Sequence, residues 1–114
     1  MTSSHWLRGR EGERKAARYL LSLGFDLLVR RYRSRSGEID LIAFENDILV
    51  FVEVKTRGSR EFGEPYEFVD WQKQQALRRA AEDFIAEHAL DQYSYRFDIV
   101  SVIGKEVTLY RNAF

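Results

Sequence analysis

The sequence predicts an α/β (α+β) fold, in which a central mixed five-stranded sheet is flanked by helices in the order α-β-β-β-α-β-β. Two observations support this prediction. Residues 38–45 and 48–55 are apolar on both faces of an extended chain, so both faces of the sheet need a covering layer. Residues 6–23 and 69–88 carry apolar side chains at the three- and four-residue spacing of helices that pack on a core.

The first helix is predicted over residues 6–23. Gly24 follows as its C-terminal cap, and Phe25 is expected to pack back on the helix. A strand is predicted next, over residues 25–33, before the polar turn 34–37. The expected inward stripe of the helix comprises Ala16, Ala17, Leu20, Leu21 and Leu23.

The two central strands, 38–45 and 48–55, are predicted to form a hairpin. Asn46 and Asp47 lie between them and tolerate the positive φ angles of a two-residue turn. Because side chains alternate along a strand, each face is expected to carry its own apolar set. One face holds Ile39, Leu41, Ala43, Val50, Val52 and Val54, and the other holds Ile42, Phe44, Leu49 and Phe51.

The second half of the chain is predicted to supply one more helix and two more strands. After a loop at 56–64, the helix covers 69–88, and strands at 95–103 and 107–111 flank a turn at 104–105. The apolar stripe of this helix comprises Val69, Ala76, Leu77, Ala80, Phe84 and Ile85.

Length and composition predict a single domain over residues 1–114. The chain has no cysteine, which excludes disulfides and thiolate metal sites and is typical of a reducing compartment. It also lacks the apolar run of a signal peptide or of a membrane span. We therefore expect a cytoplasmic protein without a membrane partner.

Basic residues are concentrated at the start of the chain, although the formal net charge is zero. Residues 1–36 hold nine Lys or Arg residues and three acids, whereas the remainder holds nine and fifteen. This asymmetry is compatible with a local basic surface for a polyanion, and also with ordinary solvated faces. Charge by itself leaves both interpretations open.

Three charged residues, Asp40, Glu53 and Lys55, interrupt the apolar central strands, where an ionised group is costly to bury unless it is paired or binds a metal. The two-residue turn places Asp40 opposite Glu53, and Glu38 opposite Lys55. Opposed carboxylates repel each other and call for a cation, and their oxygen donors favour Mg²⁺ or Mn²⁺. On the same face, the Lys55 ammonium can hold a water molecule or stabilise phosphoryl charge.

This geometry leaves two interpretations open. One is a metal site for phosphodiester hydrolysis. The other is a cross-strand ion-pair cluster near a sheet edge, in which Lys55 bridges Glu38 and Glu53 without any metal.

Both helices carry a charged residue on the apolar stripe. Glu13 lies on the stripe of the first helix and Lys73 on that of the second. The head of Lys73 can emerge beside the acids or extend into solvent. Gly9 and Gly12 flank the stripe of the first helix, where glycine permits the close approach of another backbone or of a phosphate.

Two central segments, 37–43 and 51–57, are specific when they occur together. Shorter matches accompany them at Gly12-Glu13, Tyr32-Arg33, Phe62-Gly63, Pro65, Lys73, Arg96-Phe97-Asp98 and Asn112-Ala113-Phe114. In these features the chain resembles the small bacterial YraN family, which is similar to archaeal Holliday-junction resolvases within the PD-(D/E)xK nuclease superfamily. The resemblance covers essentially the whole chain, and Ile39 replaces the superfamily's proline before the first acid.

The resemblance implies a restriction-endonuclease-like core with a bound Mg²⁺ (or Mn²⁺). It implies that Asp40 and Glu53 are metal ligands and that Lys55 is the catalytic lysine. Glu13 is implied as the additional catalytic acid, and the carbonyl of Val54 as a further metal ligand.

The resemblance therefore implies a metal-dependent endonuclease that acts on branched DNA. Its junction-cutting relatives also suggest a homodimer, since two symmetric cuts need two sites. The alternative is a nucleic-acid-binding module that keeps the fold without turnover, and a third interpretation is a protein-interaction domain with surface ion pairs. The candidate nucleic-acid contacts are Arg33, Arg35, Arg57, Arg60 and Lys73.

Overall fold

The computed structural model describes residues 4–58 and 69–114, with side chains from residue 10 onward in the first of these ranges. The described elements follow the predicted order α-β-β-β-α-β-β and include the predicted five-stranded mixed sheet. They are α1 (Ser4–Ser22), β1 (Asp26–Arg33), β2 (Glu38–Glu45), β3 (Ile48–Arg57), α2 (Trp71–Glu87), β4 (Ser94–Ile103) and β5 (Glu106–Tyr110).

The strands lie side by side in the order β1-β2-β3-β4-β5. All neighbours are antiparallel except β3 and β4, which are parallel and flank α2 in the chain. A parallel pair needs a crossover connection, and α2 forms part of it. β3 is therefore a central strand, and its side chains are shielded on both faces.

The ends of the two helices follow local capping chemistry. Gly24 has φ of 91°, and the next N–H, that of Phe25, donates to the Leu20 carbonyl at 3.0 Å, so the predicted C-terminal cap is confirmed. At the start of α2, the Asp70 side chain accepts a hydrogen bond from the Lys73 N–H at 2.8 Å. This cap begins α2 at Trp71, two residues later than the sequence predicts.

The central hairpin has the predicted register. Glu45 pairs with Ile48, and the ladder continues to Leu41 opposite Val52. Asn46 adopts φ of 56° in the turn, as expected of a residue type that tolerates this conformation. β3 continues to Arg57, so the loop predicted from residue 56 begins later, and its part over 59–64 lies outside the described residues.

Each helix covers one face of the sheet. The α1 side of the core comprises Ala16, Ala17, Leu20, Phe25, Leu41, Ala43, Val50, Val52, Val100 and Val102. The α2 side comprises Tyr32, Ile39, Ile42, Leu49, Phe51, Val69, Leu77, Ala80, Ala81, Phe84, Phe97 and Ile99. Burial of these side chains, at about 25 cal/mol per Å² of apolar area, is the main force that holds the layers together.

Two predictions about the core are wrong. Leu21 and Leu23 are 51% and 43% exposed, and Phe25 rather than Leu23 enters the core after the helix ends. Ile39 packs on the α2 side with Ile42 rather than with Leu41. Residues three apart share a strand face only where the alternation changes, so β2 is irregular beside Asp40.

In the described part of the chain, neither α1 nor α2 is long and apolar enough to cross a membrane.

Candidate functional site

The site begins where the ladder between β2 and β3 stops. The last pair of this ladder is Leu41 with Val52. Two residues further along β3, the Val54 N–H donates a hydrogen bond to Asp40 Oδ2 at 2.7 Å. A side-chain carboxylate thus takes the place of a backbone acceptor. The interruption of the ladder and the change of alternation in β2 explain why Asp40 reaches between the two strands.

Asp40 and Glu53 interact directly, as the hairpin register predicts. Glu53 is 4% exposed, and Asp40 is partly buried. Burial raises the pKa of Asp40 from 3.8 to about 8, and the charge of Glu53 and a hydrogen bond to it add to this rise. The Val54 N–H opposes the rise, and the charge of Glu13 adds to it. Burial beside Glu53 therefore favours the protonated form of Asp40.

Two lysines approach the buried carboxylate of Glu53. Lys73 Nζ lies 3.3 Å from Glu53 Oε2, and Lys55 Nζ lies 3.8 Å from the same oxygen. Lys73 comes from the capped first turn of α2, and of the two positions left open for its head the structure shows the one beside Glu53. The side chains of both lysines retain access to solvent, at 46% for Lys73 and 31% for Lys55.

Glu38, which the hairpin register places opposite Lys55, forms an ion pair with a residue of β1. The Arg33 Nη2 atom lies 3.4 Å from Glu38 Oε2, and the two residues are also paired in the ladder between β1 and β2. The described ladder between β2 and β3 ends before Glu38.

Helix α1 brings Glu13 to the same region. Glu13 Oε2 accepts a hydrogen bond from Arg31 Nε at 2.7 Å, and its charge raises the pKa of Asp40. Gly12 allows this close packing, since a Cβ there would lie 2.2 Å from Thr56 Oγ1 of β3. The group that approaches Gly12 closely is the Thr56 side chain, and not the backbone or the phosphate that the sequence analysis expected.

A cavity of about 590 Å³ opens beside Asp40. It lies between α1, the end of β3 and the turn before β5, and Lys15 Nζ ties α1 to that turn by donating to the Gly104 carbonyl at 2.9 Å. The residues that line the cavity are Glu11, Gly12, Glu13, Lys15, Asp40, Val54, Thr56, Arg57, Gly58, Val102 and Gly104.

The donor set can hold part of a metal shell. No group of three His, Cys, Asp or Glu residues in the described ranges is arranged to hold a metal ion by itself. Mg²⁺, however, usually keeps several waters and binds one or two carboxylates together with substrate phosphates. Two adjacent carboxylates, of which Asp40 lines the cavity, are compatible with that mode of binding.

The structure separates the predicted nucleic-acid contacts into two groups. Arg57 lines the cavity and donates to Ser101 Oγ at 3.2 Å, and Lys73 adjoins Glu53. The Arg33 side chain is 79% exposed and paired with Glu38, and Arg35 is exposed. Arg60 lies outside the described residues.

Sequence reasoning missed the role of Arg31 as the partner of Glu13. Arg31 belongs to the basic segment, but nothing in that segment distinguishes it from Arg30 or Arg33. Its distinguishing feature is a φ of 56° within a strand, which the sequence pattern does not reveal. Sequence reasoning also did not single out Trp71, a tryptophan that is 70% exposed at the first position of α2.

A second charged cluster lies at the opposite end of β2. Arg96 donates from Nε to Asp98 Oδ1 at 2.8 Å and from Nη2 to Asp98 Oδ2 at 3.0 Å, and it also pairs with Glu45. Arg111 Nε donates to Glu45 Oε1 at 2.9 Å, and the Asn112 N–H donates to Asp98 Oδ1 at 2.9 Å. We call these four side chains, Glu45, Arg96, Asp98 and Arg111, the arginine network.

Comparison with known proteins identifies the relatives of this chain. The profile described as "Uncharacterised protein family UPF0102", which is the YraN family, matches residues 12–102. The chain is 48% identical to a UPF0102 protein of Alkaliphilus metalliredigens, over 93% of this chain and 96% of the relative. It is 38% identical to a UPF0102 protein of Persephonella marina, over 96% and 94%. The expected resemblance to the YraN family is confirmed.

Proposed function

This chain belongs to the uncharacterised protein family UPF0102, and we propose that it is a metal-dependent endonuclease that hydrolyses phosphodiester bonds in branched DNA. The cofactor we propose is Mg²⁺, with Mn²⁺ as a substitute. The branched substrate and a homodimeric enzyme rest on the resemblance to junction resolvases.

One observation carries the proposal: Asp40, which lines the cavity, interacts with the buried carboxylate of Glu53, and the pKa of Asp40 is raised to about 8. Placing two acids in contact in a buried setting costs stability, even where lysines adjoin one of them. Such an arrangement is typical of a functional site, where the missing charge arrives with a ligand.

Each residue has a distinct part in the proposed reaction. When bound, the metal ion supplies positive charge to the phosphate and lowers the pKa of the attacking water. Asp40 and Glu53 would hold it, with the Val54 carbonyl as a neutral donor, and Asp40 would release its proton to solvent on binding. The Lys55 ammonium, 3.8 Å from Glu53, can donate a hydrogen bond to a phosphate oxygen or to the nucleophilic water.

Two further residues would position the substrate. Lys73 places a second ammonium 3.3 Å from Glu53 and partly in solvent, where it can attract the DNA backbone. Arg57 lines the cavity, where its positive charge can attract a phosphate. Such backbone contacts favour recognition of DNA shape over sequence.

The test is a cleavage panel with labelled four-way junction, flap and duplex DNA in Mg²⁺, in Mn²⁺ and in EDTA. We expect metal-dependent cleavage that is lost in Asp40→Asn and in Lys55→Met. Asp47→Asn is the matched control, because it makes the same change at an exposed turn and should leave cleavage unchanged. Cleavage that survives both site variants would contradict the assignment.

A second function, nucleic-acid binding without turnover, is favoured by the environment of Glu53. Two ammonium groups lie within 3.8 Å of its Oε2 atom, and they can neutralise the carboxylate without a metal. This function predicts DNA binding that weakens steeply with salt and with Lys73→Ala, but no product in any metal. Binding that is independent of salt would exclude it.

A further inference from the structure

The ion pair between Arg31 and Glu13 joins β1 to α1 beside the Asp40–Glu53 pair. Its atoms Nε and Oε2 are 2.7 Å apart, and its side chains are 34% and 18% exposed, so water screens it only in part. Glu13 lines the cavity together with Asp40, and the charges of both acids act on Arg31. Arg31 therefore neutralises an acid that is close enough to influence the proposed metal ligands.

The backbone of Arg31 is held in an unusual conformation. Its φ of 56° lies in the left-handed region, which Asn and Gly adopt more readily than Arg. Arg30 pairs with Leu41 and Tyr32 pairs with Ile39, so Arg31 lies at the register position opposite Asp40. Strained residues of this kind cluster at functional sites, where the surrounding structure maintains them.

We propose that Arg31 is a positioning residue that holds Glu13 in an ion pair beside the Asp40–Glu53 pair, and that Glu13 would exchange Arg31 for the metal when a divalent cation binds. This inference rests on the proposed function and adds a residue that regulates the affinity of the site for the metal. A dication attracts Glu13 and repels the guanidinium, so metal binding and the ion pair compete for the same carboxylate. In the free protein the ion pair thus lowers the affinity of the site.

The test measures Mn²⁺ binding by electron paramagnetic resonance and by calorimetry, without any substrate. Arg31→Asn suits the left-handed backbone and removes the guanidinium, and we expect it to tighten Mn²⁺ binding about three- to tenfold. Arg31→Lys, which keeps a positive charge, should stay within about twofold of the unchanged protein. Arg30→Asn is the matched control, because it removes an exposed charge from the neighbouring position and should change the affinity less than about twofold.

A double-mutant cycle with Glu13→Gln separates positioning from simple charge. If Arg31 acts through Glu13, the gain in affinity from Arg31→Asn is larger when Glu13 is intact than in the Glu13→Gln background. Equal gains in both backgrounds, or no gain at all, would overturn the inference. Arg31→Gly also tolerates the backbone conformation and replaces Arg31→Asn if that variant does not fold.

The same titration distinguishes this inference from the proposed function. Mn²⁺ binding that Asp40→Asn abolishes and Arg31→Asn leaves unchanged would refute the role of Arg31 alone. No saturable Mn²⁺ binding by the unchanged protein would refute both.

Discussion

The two ends of β2 bury acidic side chains in opposite electrostatic settings. At one end, the arginine network gives Glu45 and Asp98 cationic partners, and hydrogen bonding to Arg111 lowers the pKa of Glu45 from 4.5 to about 2. At the other end, Asp40 contacts Glu53, and its pKa rises to about 8. A buried carboxylate therefore has to be interpreted together with the charges of the residues that surround it.

The two groups of acids therefore differ in how far neighbouring residues neutralise them. Asp98 is fully buried, yet Arg96 and the Asn112 N–H satisfy its oxygens, so the arginine network needs no ligand. The Asp40–Glu53 pair stays under-neutralised although two lysines adjoin Glu53. We expect the arginine network to stabilise the fold and the acidic pair to cost stability, and the following predictions test that contrast.

Breaking the arginine network should have the largest effect. Arg96→Met leaves the carboxylate of Asp98 buried without its bidentate partner, so we expect a loss of about 3–5 kcal/mol in the free energy of unfolding. Urea denaturation in EDTA measures the change. Lys55→Met breaks a long ion pair, in which Lys55 Nζ lies 3.8 Å from Glu53 Oε2 and the lysine side chain is partly exposed. It should therefore cost less than about 1 kcal/mol in the free energy of unfolding. Equal losses of unfolding free energy in Arg96→Met and Lys55→Met would contradict the expected difference between the arginine network and the acidic pair.

Neutralising the acidic pair should have the opposite sign. Asp40→Asn keeps an oxygen that can accept the Val54 N–H and removes an acid that has to bind a proton on folding, so we expect about 1–3 kcal/mol of added stability in EDTA. Urea denaturation again measures the change. Asp47→Asn, at an exposed turn, should stay within about 0.5 kcal/mol. Destabilisation by Asp40→Asn would mean that the acid is already well compensated.

The pH dependence of stability should distinguish the two ends. The pKa of Asp40 is about 8 in the folded protein and 3.8 ordinarily, so between about pH 4 and pH 8 the unfolded chain loses this proton while the folded protein keeps it. The free energy of unfolding should therefore fall progressively as pH rises over that range. The advantage of Asp40→Asn over the unchanged protein should therefore grow over that range and then level off. Glu45 acts oppositely, since its lowered pKa of about 2 adds stability that is lost as pH falls below about 4.5. An advantage of Asp40→Asn that is constant with pH would contradict the raised pKa.

The smallest effect concerns the packing that brings Glu13 to the acidic pair. Gly12→Ala places a methyl group 2.2 Å from Thr56 Oγ1, so we expect a net loss of about 1–2 kcal/mol despite the better helix propensity of alanine. Thermal denaturation measures the loss. Thr56→Ala removes the clashing oxygen and should restore stability in the double variant. A double variant as unstable as Gly12→Ala would place the cause elsewhere.

Much of the fold was predictable because its signals are local. The hairpin register followed from the Asn46-Asp47 turn, and the two apolar faces required two covering helices. The positions of Leu21 and Leu23 were not predictable from spacing, since only the geometry of the helix end decides which leucines face the sheet. The change of alternation at Ile39 was not predictable either, because it accompanies a hydrogen bond from the Val54 N–H to the Asp40 carboxylate that strict strand alternation does not include.

The candidate site was predictable only in part. Asp40, Glu53 and Lys55 are recognisable as charges in apolar strands, and Lys73 as a charge on an apolar helix stripe. Arg31 was not, because its partner Glu13 is remote in sequence and its φ of 56° has no signature in the residue type. The arginine network was missed for a similar reason, since it joins β2, β4 and the segment after β5.

The central claim is that the Asp40–Glu53 pair is completed by a divalent cation. The most direct test compares the Mn²⁺ dependence of the free energy of unfolding in the unchanged protein and in Asp40→Asn. We expect Mn²⁺ to stabilise the unchanged protein in a saturable way, by about 2–3 kcal/mol at about one hundred times the dissociation constant, and to leave Asp40→Asn unaffected. Equal stabilisation of both proteins, or of neither, would contradict the claim.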